Sequence, residues 1–182
     1  MARIATIDKK EELAPEFQNV YDAIAQSRGV VGGPFLALLH SPELAGRTAH
    51  LGSYVRFEST LDHKILELAA LVAARELDCK HEWAAHSHHA QKAGIPLETI
   101  RAVHQRRETE HFSSQDAQIV SYVRELLHSH RASEATFQAL YARLGERGLV
   151  ELTATIGYYA MVACTLNAFD IATATPSDDL TI

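Results

Sequence analysis

The 182-residue chain is 47% hydrophobic and 22% charged, which is typical of one globular domain with a well-buried core. These values exclude intrinsic disorder and fibrous low-complexity sequences, and the net charge of −6 argues against binding to a nucleic-acid backbone. No apolar run reaches the roughly 18 residues of a membrane-spanning helix, so we expect no membrane partner. The two distant cysteines suit a reducing compartment, so we expect a cytoplasmic protein. Residues 1–182 are expected to form a single domain.

Helical periodicity runs along the whole chain, and no segment keeps the strict alternation of a β-strand for more than a few residues. Proline, glycine and capping residues mark the predicted helices, which run from Pro15 to a stop at Gly29, from the Ser41 cap through Val55, from Ser59 or Thr60 through Val72, from Cys79 to Ala93, from Pro96 to about Gln105, from Ser114 through Leu127, from the Ser133 cap to a stop at Gly145, and from Leu149 to about Phe169. Asp78 is the predicted N-cap and Gly94 the predicted stop of the helix from Cys79 to Ala93, and Pro34 to Leu39 is predicted to form a short apolar turn. The polar segment 106–114 is a candidate hinge, and the tail from Thr173 is expected to fray. The pattern predicts an all-α fold, a compact orthogonal bundle of eight or nine helices.

The sequence CKHEWAAHSHHA carries the candidate chemistry. On a helix, one face spanning about 80° holds four reactive side chains, those of Cys79, Glu82, His86 and His89. Trp83 shares this side, so the polar groups are predicted to point into packed protein, whereas His81 and His88 fall on the opposite side. Glu82 and His86 lie one turn apart and can share a proton in a site that excludes water. General acid–base catalysis near neutral pH uses such a pair.

Several chemical roles are open to these residues. Burial is expected to lower the pKa of His86 and the Glu82 carboxylate to raise it, so that His86 titrates near neutrality. Cys79 lies in the predicted first turn, where unpaired N–H groups favour a thiolate and a redox role. Glu82, His86 and His89 also have a spacing that could bind a metal. Ordinary packing explains the same residues as a helix pair and a buried histidine, and it is favoured for Cys164 on the apolar last helix.

The segment ELAALVAARELDCKHEWAAHSHHAQKAGI resembles the core of the carboxymuconolactone decarboxylase and alkylhydroperoxidase D-like superfamily, whose core motif covers residues 60–105 here. The peroxidase branch of that family has a Glu, then a Cys-x-x-Cys twelve residues later, then a His four positions on. Glu67, Cys79 and His86 occupy the Glu, first Cys and His positions, but Glu82 replaces the second Cys. The EWxxH pattern resembles the decarboxylase-like branch instead, and LLHSPELAGR and the closing helix add to the likeness.

The resemblance implies an AhpD-like helical fold that assembles into trimers or hexamers, with a Glu and His proton relay and, in the decarboxylases, no metal or organic cofactor. It places four residues at catalytic positions, namely Glu67, Cys79, Glu82 and His86. The candidates for substrate binding are His81, from its position in the motif, and Trp83 and His89, from the shared helix face. The last helix, with Tyr158 and Tyr159, has more apolar surface than one small domain readily buries, which also predicts a homo-oligomer.

The leading interpretation is a cofactor-independent lyase that decarboxylates a small, anionic, cyclic carboxylic acid or lactone. His86 is the candidate acid, Glu82 its proton-sharing partner and Glu67 a second member of the relay. Arg56 and Lys64 are candidates for holding the substrate carboxylate. The missing second cysteine argues against the disulfide cycle of a two-cysteine peroxidase. Three alternatives stay open: a one-cysteine peroxidase that uses an external thiol, a metal-binding module, and a non-catalytic helical oligomer.

Overall fold

A computed structural model describes residues 2–172. The described chain has no strand, and its eight α-helices are α1 (Gln18–Arg28), α2 (Phe35–Leu38), α3 (Pro42–Ser53), α4 (His63–Glu76), α5 (Lys80–Lys92), α6 (Leu97–His104), α7 (Ser114–Arg124) and α8 (Glu134–Phe169). Three 3₁₀ turns and two π-helical turns, Tyr54–Glu58 and Glu125–Ser129, complete the fold. The all-α prediction is therefore confirmed. The predicted fraying from Thr173 onward lies outside the described residues.

Proline and glycine set several helix boundaries at the predicted positions. Pro42 lies in the first turn of α3, where its missing N–H costs no helical hydrogen bond. Gly29 follows α1 with a left-handed φ of 79°. Gly145, with a φ of 67°, interrupts α8. Helix α8 therefore consists of two helices that meet at a kink, one on either side of Gly145, as the sequence predicts.

Helix α4 begins later than its sequence predicts. Its N-cap is Asp62, whose carboxylate accepts a hydrogen bond from an N–H of the first turn. The predicted caps, Ser59 and Thr60, instead donate their hydroxyl protons to Glu151 on α8, each at 2.8 Å. These two hydroxyls therefore tie the turn before α4 to a helix far along the chain.

Helix α5 also begins differently from the prediction. Asp78 has a left-handed φ of 48° and lies just outside the helix, so that Cys79 takes the N-cap position. The Asp78 carboxylate forms ion pairs with Arg75 and Arg106 rather than capping α5. The local capping preference is thus overridden by two charges from other elements.

Helix α4 is the centre of the bundle and packs against α5, α7 and α8. Residues 65–74 are all buried, and Glu67 is the charged exception among them. One continuous apolar core extends from Ala37 to Ile171, on both sides of the candidate hinge at 106–114. That segment is fixed to α4 and α7 by Arg106, which pairs with Glu76, and by a hydrogen bond from α7 to the Arg107 carbonyl. The structure does not support a hinge there.

Helix α8 is long and apolar enough to cross a membrane by length and composition. However, 56% of its most apolar 18-residue window is buried inside the protein. It also contains buried Glu151 and Thr155, whose polar groups are hydrogen-bonded within the fold. In this structure α8 is a core helix of the bundle.

Candidate functional site

Helices α4 and α5 place a histidine between two carboxylates. Nδ1 of His86 lies 2.7 Å from Oε2 of Glu67 on α4. Nε2 of the same ring lies 3.3 Å from Oε2 of Glu82, one turn earlier on α5. All three side chains are buried. We refer to Glu67, His86 and Glu82 as the relay.

The two carboxylates keep His86 protonated at neutral pH. Burial favours the neutral imidazole, but hydrogen bonds to Glu67 and Glu82 outweigh it and raise the pKa of His86 to about 9. Although burial acts to raise them, the pKa values of both carboxyl groups are lowered by the bond to His86. The expectation that His86 titrates near neutrality is wrong, because it counted one carboxylate where the fold supplies two.

Cys79 is a buried thiol and not an activated nucleophile. Its side chain has no exposed surface, and this burial raises the pKa of the thiol to about 11. Backbone N–H groups at the start of α5 act in the opposite direction but do not offset the loss of water. The predicted thiolate is therefore wrong, which weakens the peroxidase alternative. Cys164, predicted to be packed, is exposed on α8.

A cavity of about 500 Å³ lies beside the relay, a size typical of sites for small organic molecules. Its wall is built from the end of α1, the loop that leads into α2, the π-helical turn after α3, α5 and α8. The side chains that bear on its chemistry are those of Arg28, Arg56, His81, Glu82, His86 and Tyr159. The relay is therefore accessible to a ligand from this cavity, while Glu67 lies behind His86.

The other candidate residues divide between cavity, core and surface. His81 and His89 line the cavity, and burial lowers the pKa of His89. His81 thus reaches the site although its helical position predicted the far side, whereas His88 is exposed as expected. Trp83 is not a cavity residue: its indole packs in the core, 5.5 Å from the His104 ring between centroids.

The two cationic candidates, Arg56 and Lys64, lie at different places on the surface. Arg56 lines the cavity. Lys64 lies 3.7 Å from Asp116 at a different depression, between α4 and α7, because it points away from α5. Lys64 is therefore not placed to hold a ligand beside the relay.

Three cavity residues were missed from the sequence as site residues. The edge of the Tyr159 ring packs on the His86 ring, with centroids 4.6 Å apart at 81°. Burial raises the pKa of both Tyr158 and Tyr159, so their hydroxyls stay protonated. Arg28, in the last turn of α1, reaches the cavity from the N-terminal region. No local motif marks these residues, because tertiary packing alone brings them to α5.

The geometry argues against the metal-binding alternative. Within residues 2–172, no group of three or more His, Cys, Asp or Glu side chains is arranged to hold a metal ion. Both ring nitrogens of His86 are directed at carboxylates, and the centroids of the His86 and His89 rings are 5.7 Å apart. Glu82, His86 and His89 share a helix face without forming a ligand set.

The sequence matches one family model, that of the carboxymuconolactone decarboxylase family, over residues 42–125. This range contains the whole relay. A comparison with curated protein sequences finds no significant match.

Solved structures share the fold. An AhpD-like protein of unknown function from Agrobacterium tumefaciens has a TM-score of 0.67 and 20% identity, over 76% of this chain and 95% of that one. An alanine variant of the debrominase Bmp8 in complex with 2,3,4-tribromopyrrole has a TM-score of 0.75 and 15% identity, over 97% and 94%. A peroxidase-related protein with an AhpD core from Ralstonia eutropha JMP134 has a TM-score of 0.74 and 14% identity, over 98% and 94%. At these identities the similarity establishes the fold.

Proposed function

Because this chain belongs to the carboxymuconolactone decarboxylase and alkylhydroperoxidase D-like superfamily, we propose that it is a cofactor-independent acid–base lyase acting on a small cyclic carboxylic acid or lactone. One observation carries the proposal: a buried, protonated His86 is held between Glu67 and Glu82 at the wall of a cavity. Such an imidazolium is a positioned proton donor in a site of low polarity.

In the proposed reaction, the bond between a ring carbon and a carboxylate breaks and CO₂ leaves. The electron pair of that bond moves into the conjugated ring carbonyl, which gives an enolate. His86 then donates the Nε2 proton to the ring carbon next to the carbonyl and takes up another proton from water, while the Nδ1 proton stays on the ring in its hydrogen bond to Glu67. The longer bond, 3.3 Å to Glu82 against 2.7 Å to Glu67, suits the side of the ring that exchanges its proton.

Nearby groups at the cavity wall can stabilise the negative charge of the enolate. The charges of His86 and Arg56 lie at the cavity wall, where a developing negative charge is stabilised. Tyr159 lines the same cavity, and its hydroxyl forms no hydrogen bond to the described residues, so that it is free to donate to the enolate oxygen. The complex of the debrominase variant with tribromopyrrole is in keeping with a small planar ring as the ligand of this fold.

The direct test is incubation of the protein with carboxymuconolactone in D₂O. We expect CO₂ release, with one deuterium in the product at the ring carbon next to the carbonyl, where the enolate takes up its proton, measured by NMR. Cys79→Ser is expected to retain this activity, as is the surface variant Cys164→Ser, because neither thiol lines the cavity. The proposal fails if no CO₂ is released while the protein consumes peroxide at a rate that depends on Cys79.

We also propose that the protein is cytoplasmic and forms a homo-oligomer, a trimer or hexamer. Tyr158 and Tyr159, from which surplus apolar surface was predicted, are buried at the cavity instead. The exposed side of α8 nevertheless presents a row of small and apolar residues at helical spacing, namely Val150, Ala154, Gly157, Met161 and Cys164. A second helix can pack closely on such a row.

Sedimentation equilibrium at micromolar concentration is expected to give a mass of at least three chains. Gly157→Glu should shift the mass toward 20.1 kDa, because it buries a charge at the contact. Ala135→Glu, at an exposed position near the other end of α8, is the control and should leave the mass unchanged. A wild-type protein that sediments as a single chain would rule out the assembly.

A further inference from the structure

We infer that Arg28 and Arg56 form the binding site for a carboxylate of the ligand, on the side of the cavity formed by the end of α1 and the turn after α3. The inference rests on the proposed function for its choice of a carboxylic acid, and it names the residues that select such a ligand. Both arginines line the cavity that contains His86 and Glu82.

The Arg28 guanidinium is held in a fixed place. Its Cζ lies 4.6 Å from the centroid of the Phe35 ring, so the cation stacks on α2. Its Nη2 donates to the Ala49 carbonyl of α3 at 3.2 Å and lies 3.5 Å from the Tyr158 hydroxyl of α8. Three helices therefore position one side chain, as a preorganised binding group requires.

One donor of this guanidinium is unused. Nε of Arg28 is buried and has no hydrogen-bond partner within residues 2–172. Because Nη2 already donates to Ala49 and Tyr158, the contact that this guanidinium can add is a charged hydrogen bond from Nε to one carboxylate oxygen. Because buried N–H groups normally have partners, an orphaned one beside a cavity points to an acceptor that arrives with a ligand.

A glycine makes room for this arrangement. A Cβ at position 52 would lie 2.5 Å from Nη2 of Arg28 and would overlap the Tyr158 hydroxyl. Gly52 is buried in α3, where glycine is a poor helix former, and its lack of a side chain lets the guanidinium and the hydroxyl meet at this place. The pocket around Arg28 is thus built by residues of α1, α3 and α8.

Arg56 supplies a second positive charge. It lies in the π-helical turn Tyr54–Glu58, with its Cζ 5.2 Å from the Phe57 ring centroid. Neither Arg56 nor Arg28 forms an ion pair with the residues that the structure describes, whereas Arg106 and Arg124 both pair with Glu76. In a chain with a net charge of −6, two arginines without a carboxylate partner at one cavity favour an anionic ligand.

The position of this pair also bears on which carboxylate it holds. Ion pairing stabilises a carboxylate in its charged form, whereas loss of CO₂ requires that charge to leave the group. Arg28 and Arg56 therefore suit a carboxylate that the reaction leaves intact, with the bond that breaks turned toward His86. They act as binding and specificity residues rather than as proton donors.

Binding of benzoate and benzamide, measured by isothermal titration calorimetry with the intact protein, tests the inference. These probes have the same ring, and only benzoate is charged. We expect benzoate to bind more tightly, and we expect Arg28→Gln to weaken benzoate binding by at least about tenfold, as is typical for the loss of a hydrogen bond to a charged group. Arg56→Gln should weaken it by less, and Arg101→Gln, which removes an exposed charge on α6, should have no effect.

The experiment separates this inference from the proposed function. Benzoate binding is measured without turnover, so its dependence on Arg28 and Arg56 is read independently of whether the protein is a lyase. Arginine-dependent benzoate binding without decarboxylation would leave the carboxylate site standing and remove the lyase. No preference for benzoate over benzamide, or unchanged benzoate binding in both arginine variants, would overturn the inference. Should Arg28→Gln prove unfolded by circular dichroism, Arg56→Gln alone decides between these outcomes.

Discussion

Replacing His86 with asparagine is expected to lower the turnover of carboxymuconolactone by about 10²- to 10⁴-fold, the usual contribution of a general acid. Asparagine can donate a hydrogen bond to Glu67 or Glu82, but it cannot transfer a proton at neutral pH. The variant should fold with a lower melting temperature, because two buried carboxylates lose the cation between them and one must take up a proton. Turnover and circular dichroism melting curves measure the two effects.

The matched control is His88→Asn on the same helix. His88 is exposed and does not line the cavity, so its replacement should leave both turnover and melting temperature close to the wild type. Equal turnover in the two variants would show that the relay is structural. The pair of variants thus separates chemistry at one position of α5 from general effects of losing a histidine.

The charge of His86 also predicts how the free energy of unfolding depends on pH, and His86→Asn tests this. The pKa of His86 is about 9 in the folded protein, against an ordinary value of 6.5. Its charge therefore contributes stability that is fully present below about pH 6.5 and is lost as the pH rises through 9. Urea unfolding of the wild type should therefore show a falling free energy of unfolding between pH 7 and about 10, in keeping with the linkage relation. That fall should be largely absent from His86→Asn.

The part of the relay within one helix could be predicted from sequence. Glu82 and His86 are four residues apart, and helix geometry alone brings such residues together, as the structure shows. Glu67 lies on another helix, so periodicity could identify it only as a charged residue in an apolar segment. The family resemblance pointed to it, but its short bond to His86 depends on how α4 packs against α5.

Properties set by burial were the ones that local reasoning missed. A helix start predicts an acidic thiol at Cys79, yet the thiol is fully buried and the loss of water outweighs the nearby N–H groups. Asp78 and Ser59 are good capping residues by type, but partners from other elements use their side chains. Gly145 could be predicted as a break because its effect is local to the backbone.

Cavity residues from distant parts of the chain could not be predicted. Arg28 is the last residue of α1, and its sequence neighbourhood is that of an ordinary exposed helix end. Arg28 reaches the cavity only because α1 packs against α3, where Gly52 has no side chain to occupy the space of the guanidinium. A single sequence records each of these residues but not that they meet.

Replacing Glu67 with glutamine is expected to move the upper limit of activity from about pH 9 toward neutrality. Glutamine keeps an oxygen that accepts from Nδ1 of His86 at the same place, but it removes the charge that holds the imidazolium, so the pKa of His86 falls. Each unit of that fall should cost about tenfold in turnover at any pH above the wild-type pKa of about 9, since only the protonated ring donates. A pH–rate profile, together with ¹⁵N NMR titration of the His86 ring, measures the shift without assuming the reaction.

Glu82→Gln should shift the pKa of His86 less, because its contact is longer at 3.3 Å, and Glu98→Gln on the exposed side of α6 should not shift it. A pH profile and a ring titration that both stay at the wild-type position in Glu67→Gln would mean that Glu67 does not set the protonation of His86, and the acid assigned to this site would have to be sought in another residue of the cavity.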